Sequence, residues 1–175
     1  MKKLLFIILL CAAASSACAA VPSLAGKWKL DPARSSPLSY WQTIRLDFSI
    51  DGDKVRLVRT LGTGDDSSKE TYDLDMTKAD NVCPLSWYAE NRYMGVYIGG
   101  DKAMHIRPSW LDEGRTLRLD ANMTVDVQQG SKTMNILSDY KLSANGAELT
   151  VIEIRGARTR PLVYVFTRDS ADAKQ

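Results

Sequence analysis

From residue 40 onward, apolar and polar residues alternate with a period of two. The clearest run is Arg115 to Val127. There Leu117, Leu119, Ala121, Met123, Val125 and Val127 are separated by Arg118, Asp120, Asn122, Thr124 and Asp126. A helix would scatter the apolar set around its axis, whereas a strand gathers it on one face. Ile44, Leu46, Phe48 and Ile50 repeat the pattern, as do Met134, Ile136, Tyr140 and Leu142. Turn residues fall between the runs: Asp51-Gly52-Asp53, Gly62-Thr63-Gly64, Gly99-Gly100-Asp101, Asp112-Glu113-Gly114, Gln128-Gln129-Gly130 and Asn145-Gly146. Asn-Gly between alternating strands favours a tight primed turn, because both residues tolerate positive φ. The pattern predicts strands at 25–30, 40–50, 54–61, 67–76, 90–98, 103–111, 115–128, 132–143, 147–156 and 160–168. A short helical turn is expected within 82–89.

Short consecutive connections make neighbouring strands antiparallel. One apolar and one charged face per strand suits a sheet wrapped around its apolar side. Closing an up-and-down barrel of about 8–10 strands removes the exposed edges. A two-sheet β-sandwich is the alternative.

The first residues break this pattern. Lys2 and Lys3 precede an apolar run, Leu4 to Leu10, and Ala17 and Ala19 supply small residues before a cleavage point. This is the grammar of a secretory signal peptide over 1–19, followed by a single domain over 20–175. The run is too short for a transmembrane helix, which needs about 20 residues. The expected location is the periplasm or the exterior. Cys18 after Ser15-Ser16-Ala17 leaves open a lipid anchor.

The whole chain of 175 residues has 23 basic and 21 acidic side chains. Residues 1–19 hold two lysines and no acid, so the mature domain is formally neutral. That removes the electrostatic case for nucleic acid. Cys83 is the one mature cysteine and cannot form an internal disulfide.

Gly26-Lys27-Trp28 near the mature N-terminus resembles the Gly-x-Trp signature of lipocalins, and Ser138-Asp139-Tyr140 resembles their Thr-Asp-Tyr motif. The run Trp28 to Ser35 and the later Leu142 to Thr150 are similar to secreted bacterial lipocalin-like proteins of undefined role. The resemblance implies a barrel whose narrow end is closed by Trp28, covered by Arg155 or Arg168. It gives structural roles to these three residues. At 147–168 the pattern has two strands where typical lipocalins have a helix.

Catalytic signatures are sparse. There is no Gly-x-Ser-x-Gly elbow and no phosphate loop. Gly62 to Ser67 touches a dinucleotide fingerprint, but it lies between strands without a following helix. The single histidine, His105, rules out a two-His metal site and reads as a partly buried structural side chain. No catalytic residue, cofactor or metal is assigned. A solid envelope interaction module, and a barrel enzyme using His105 and nearby acids, remain alternatives.

Two features point to a small apolar or amphipathic ligand. Trp87, Tyr88, Tyr93, Tyr97 and Trp110 concentrate aromatic surface in one stretch. Arg59 occupies the apolar register of Val55, Leu57 and Leu61. A buried Arg must meet an acid, leave through the barrel mouth or bind an anionic head group. A strand-end or bulge that turns it outward is the plainer expectation. The candidate ligand-binding set is Arg59, Tyr93, Tyr97 and Trp110.

Overall fold

A computed structural model describes residues 23–38, 40–85, 97–156 and 158–169. Among them are eleven strands: β1 Gly26–Leu30, β2 Thr43–Asp51, β3 Lys54–Thr63, β4 Asp66–Asp75, β5 Asn81–Pro84, β6 Tyr97–Ile98, β7 Ala103–Leu111, β8 Thr116–Val127, β9 Gly130–Leu142, β10 Glu148–Arg155 and β11 Leu162–Arg168. Every pairing is antiparallel, in the order β4-β3-β2-β1-β11-β10-β9-β8-β7-β5, with β6 on β8. The sheet curls into a nearly closed barrel whose seam lies between β4 and β5. The sandwich alternative is thereby set aside.

The expected strands agree with the observed ones closely, with one correction. Residues 81–84 form β5 rather than the start of a helical turn. Asn81 and Cys83 are buried and Val82 is exposed, so the segment does alternate. It is too short, and too close to Pro84, for the period to stand out. The remaining residues of the expected turn, 86–89, lie outside the described residues, as do 90–96 and the segment 1–22.

Antiparallel order sends alternate connections to opposite ends. One end carries the turns at 51–54, 76–80, 112–115 and 143–147, together with Leu24 and the start of β1. The other, here the mouth, carries 31–42, 63–66, 128–129 and 156–161, and the described chain stops there at Leu85 and resumes at Tyr97.

The closed end is packed solid. Leu24, Trp28, Phe48, Leu117, Leu142, Leu149 and Phe166 are all 2% exposed or less. Trp28 Nε1 donates to the Leu24 carbonyl at 3.0 Å. Arg168 lies over the Trp28 ring, its guanidinium carbon 4.4 Å from the centroid. Its donors reach the carbonyls of Gly146 (3.0 Å), Ala25 (3.0 Å) and Ser23 (2.7 Å). Gly26 makes this possible: its φ is +115°, and a Cβ there would sit 2.9 Å from an Arg168 nitrogen. Arg168 is thus the cover of Trp28. Arg155 is elsewhere, on the inner face of β10 towards the mouth.

Candidate functional site

Above the packed end the interior changes character. Continuous pairing of β3 with β2 and β4 fixes Arg59 opposite Leu46 and Glu70. With no bulge in either ladder, Arg59 keeps the inward phase of Val55, Leu57 and Leu61, correcting the expectation that it turns outward. The same logic brings Glu70 and Tyr72 of β4, Ser138 and Tyr140 of β9, and Glu153 and Arg155 of β10 to the inner face. These residues line a cavity of about 40 Å³, whose opposite wall is apolar and includes Leu85, Met104, Ile106, Leu119, Ala121 and Ile136.

The two ion pairs in this belt differ. Glu153 and Arg155 are each 5% exposed at the side chain and bonded to one another through Arg155 Nε. Arg59 and Glu70 are 14% and 10% exposed, and their nearest N···O approach is 3.8 Å. That distance is an ion pair and too long for a hydrogen bond. Glu70 Oε2, the same oxygen, accepts from the Tyr72 hydroxyl at 3.1 Å. Among the described residues, no hydrogen bond consumes any of the five donors of Arg59.

Burial works against the charge on Arg59, but Glu70 and Glu153 outweigh it and hold the guanidinium pKa above its ordinary value. Burial, reinforced by Glu70, pushes the Tyr72 phenol well up. Burial likewise raises Tyr140. Both phenols therefore stay neutral and keep their O–H donors. Tyr140 is fixed edge-to-face against Phe48, with ring centroids 5.5 Å apart. The belt thus offers a cation, the phenol donor of Tyr140 and two carboxylates beside an apolar wall.

Of the expected aromatic lining, Trp110 and Tyr97 are among the described residues. Trp110 stands in the inward phase of β7 and packs half-buried against the core. Tyr97 is 69% exposed, opposite Asp126 on β8, so it is not part of the interior. Tyr93, Trp87 and Tyr88 lie outside the described residues. The sequence marks none of Glu70, Tyr72 or Glu153 as interior, and it gives Ser138, Tyr140 and Arg155 structural roles rather than a place in this belt. The signal that could have found them is the one used for Arg59: inward phase shared with Leu74 on β4, and with Leu149 and Val151 on β10.

Other candidates are structural. Asp139 faces outward and takes a two-point bond from Arg118, at 2.7 Å each. Asp126 accepts from Ser131 at 2.6 Å. Cys83 is buried, and burial raises its thiol pKa, an unreactive setting. No group of three or more His, Cys, Asp or Glu among the described residues is placed to hold a metal ion.

No family model and no curated protein matches the chain. Among solved structures, it is similar to the crystal structure of a secretary abundant heat soluble (SAHS) protein from Ramazzottius varieornatus. The TM-score is 0.53 at 12% identity, over 83% of this chain and 95% of that one. At that identity the likeness speaks for the fold alone, an antiparallel β-barrel.

Proposed function

We propose that this protein is an exported, non-catalytic barrel that binds a small amphipathic ligand by its anionic head. One observation carries the reading. Arg59 is a charged guanidinium largely enclosed by the barrel, paired with Glu70 without a hydrogen bond to it, and it lines a cavity that is apolar on the far side. Enclosing a charge costs several kcal/mol even when it is paired, and a barrel needed only as a scaffold is better served by an apolar side chain there. A carboxylate or similar group would take two parallel bonds from the Arg59 fork, strengthened by the low local dielectric. Tyr140 supplies a further donor, and the tail would lie against Met104, Ile106 and Leu119. The periplasm or the exterior is the proposed location.

The test pairs ligands that differ only at the head. Decanoate and decanol are titrated into wild type and Arg59→Ala, followed by tryptophan fluorescence. Decanoate binding should weaken by about 1–3 kcal/mol, the scale of a charge-assisted hydrogen bond, with decanol nearly unchanged. Equal losses for both remove Arg59 from the site. A second reading rests on the cavity size. At about 40 Å³ it holds a few waters, whereas small-molecule pockets run from about 300 Å³. On that reading the barrel is solid and its loops contact protein or glycan. Absence of saturable binding of either ligand to wild type would favour it.

A further inference from the structure

β5 is a short edge strand at the seam of the barrel. It has four residues, pairs with β7 on one side, and faces β4 across the seam without a strand ladder. His105 of β7 stands opposite Val82, inside the β5 pairing, on the outer face. Its ring reaches two carboxylates at once: Nδ1 to Asp80 Oδ2 at 2.9 Å, and Nε2 to Asp101 Oδ2 at 2.8 Å. Asp80 immediately precedes β5. Asp101 belongs to the 99–102 turn, whose Lys102 carbonyl accepts the N–H of Leu85, the residue just after β5, at 2.8 Å. The imidazole therefore holds the start of the strand through Asp80 and acts on its end through the turn that carries Asp101 and Lys102. Leu85 also lines the interior cavity.

We propose that His105 is a pH-sensitive latch on β5: its imidazolium form fastens both ends of the strand, and loss of the proton loosens the β4–β5 seam beside the cavity. The chemistry requires the charged form. A neutral imidazole has one N–H and can serve only one of the two carboxylates; the other then meets a lone pair. Asp80 and Asp101 favour the cation, with Asp120 on their side and the cationic Arg107 and Lys102 opposing it. From β8 the ring faces Asn122, with Asp120 nearby. From β5 it faces uncharged Val82, and from its own strand Arg107. Lys102 adjoins Asp101 in the turn.

The hydrogen bonds to Asp80 and then Asp101 raise the imidazole pKa above its ordinary 6.5. Asp101 is held below the usual carboxylate range by the same contact. The folded protein thus holds the histidine proton more tightly than the unfolded chain does. The latch contributes fully below the ordinary histidine pKa and is lost as pH rises through the raised one.

The protein has one histidine, so its proton NMR titration reports this ring alone. Amide hydrogen exchange read in parallel gives protection factors for β5 and Leu85, with β8 and β9 as internal reference. No ligand is involved, so the outcome is independent of the binding proposal. Protection of β5 should fall about fivefold between about pH 6 and about pH 9, with the midpoint of the imidazole titration, while β8 and β9 hold. Asp80→Asn and Asp101→Asn should each lower the imidazole midpoint and flatten the β5 profile. Flat β5 protection in wild type across the imidazole titration, or an unchanged fall in either variant, would overturn the latch.

Discussion

Replacing Trp28 by Ala strikes the packed end of the barrel at its centre. The side chain is fully buried, donates to the Leu24 carbonyl and carries the Arg168 guanidinium on its face. A buried aromatic removes about 200 Å² from water, worth about 5 kcal/mol at about 25 cal/mol per Å². Partial burial in the unfolded chain reduces this to about 3–4 kcal/mol. The orphaned Leu24 carbonyl and the lost cation–π contact add about 1 kcal/mol. The expected total of about 4–5 kcal/mol agrees with the range measured for large core truncations. For a chain of this size it corresponds to a Tm lower by about 10–20 °C. Urea unfolding followed by far-UV circular dichroism measures it without relying on the removed fluorophore. Trp28→Phe keeps most of the apolar volume and should cost less than half as much, which covers the case where the Ala variant does not fold. A midpoint for Trp28→Ala equal to that of wild type would refute the placement of this residue.

Two further outcomes follow from the interior and from the proposed leader. Glu70→Leu alone strands Arg59 and should destabilise by about 3 kcal/mol, whereas Arg59→Met with Glu70→Leu should recover most of that; a double-mutant cycle in urea reads the difference, and additive losses would show that the pair is not coupled. The N-terminus of exported protein should begin at Ala20, a lipid-bearing Cys18 would identify the anchored form, and residues 1–10 retained in a cytoplasmic product would refute export.

Most of the wall was legible because a half-buried strand writes its two faces into alternate positions. β7 and β8 are plain for that reason: polar residues separate nearly every inward apolar one. The belt was harder to read. On β4, Ser67, Ser68, Lys69 and Glu70 are polar on both faces, so nothing marks Glu70 as inward. On β10 the pattern changes phase. Leu149 and Val151 point in, yet Ile152 and Ile154 are apolar and Glu153 and Arg155 charged. Local hydrophobicity would turn the second half of this strand over. The ladder does not allow it: Val151 pairs with Tyr140, Glu153 with Ser138 and Arg155 with Ile136, so the charged residues stay inside and the isoleucines are exposed. A register set by neighbours overrides the preference of a few side chains. Arg59 was visible because it interrupts an otherwise apolar phase; its partners were not, because they stand among polar residues or replace the apolar ones.

The clasp at the closed end also sets an order of events. Arg168 binds the carbonyls of Ala25 and Ser23 across 143 and 145 residues of chain. In any vectorial delivery, N-terminus first, β1 arrives at the outset and can pair with β2, but its other edge stays open until the last strand is released. Local hairpins such as β2–β3 and β8–β9 can form early; closure must wait, since a contact of such long sequence separation carries a large loop entropy. The final seven-residue strand, β11, is therefore the keystone rather than a trailing end. A chain stopped short of Leu162 would keep nearly all the hairpins and still expose two unprotected edges, one on β1 and one on β10, each a template for pairing with another such chain.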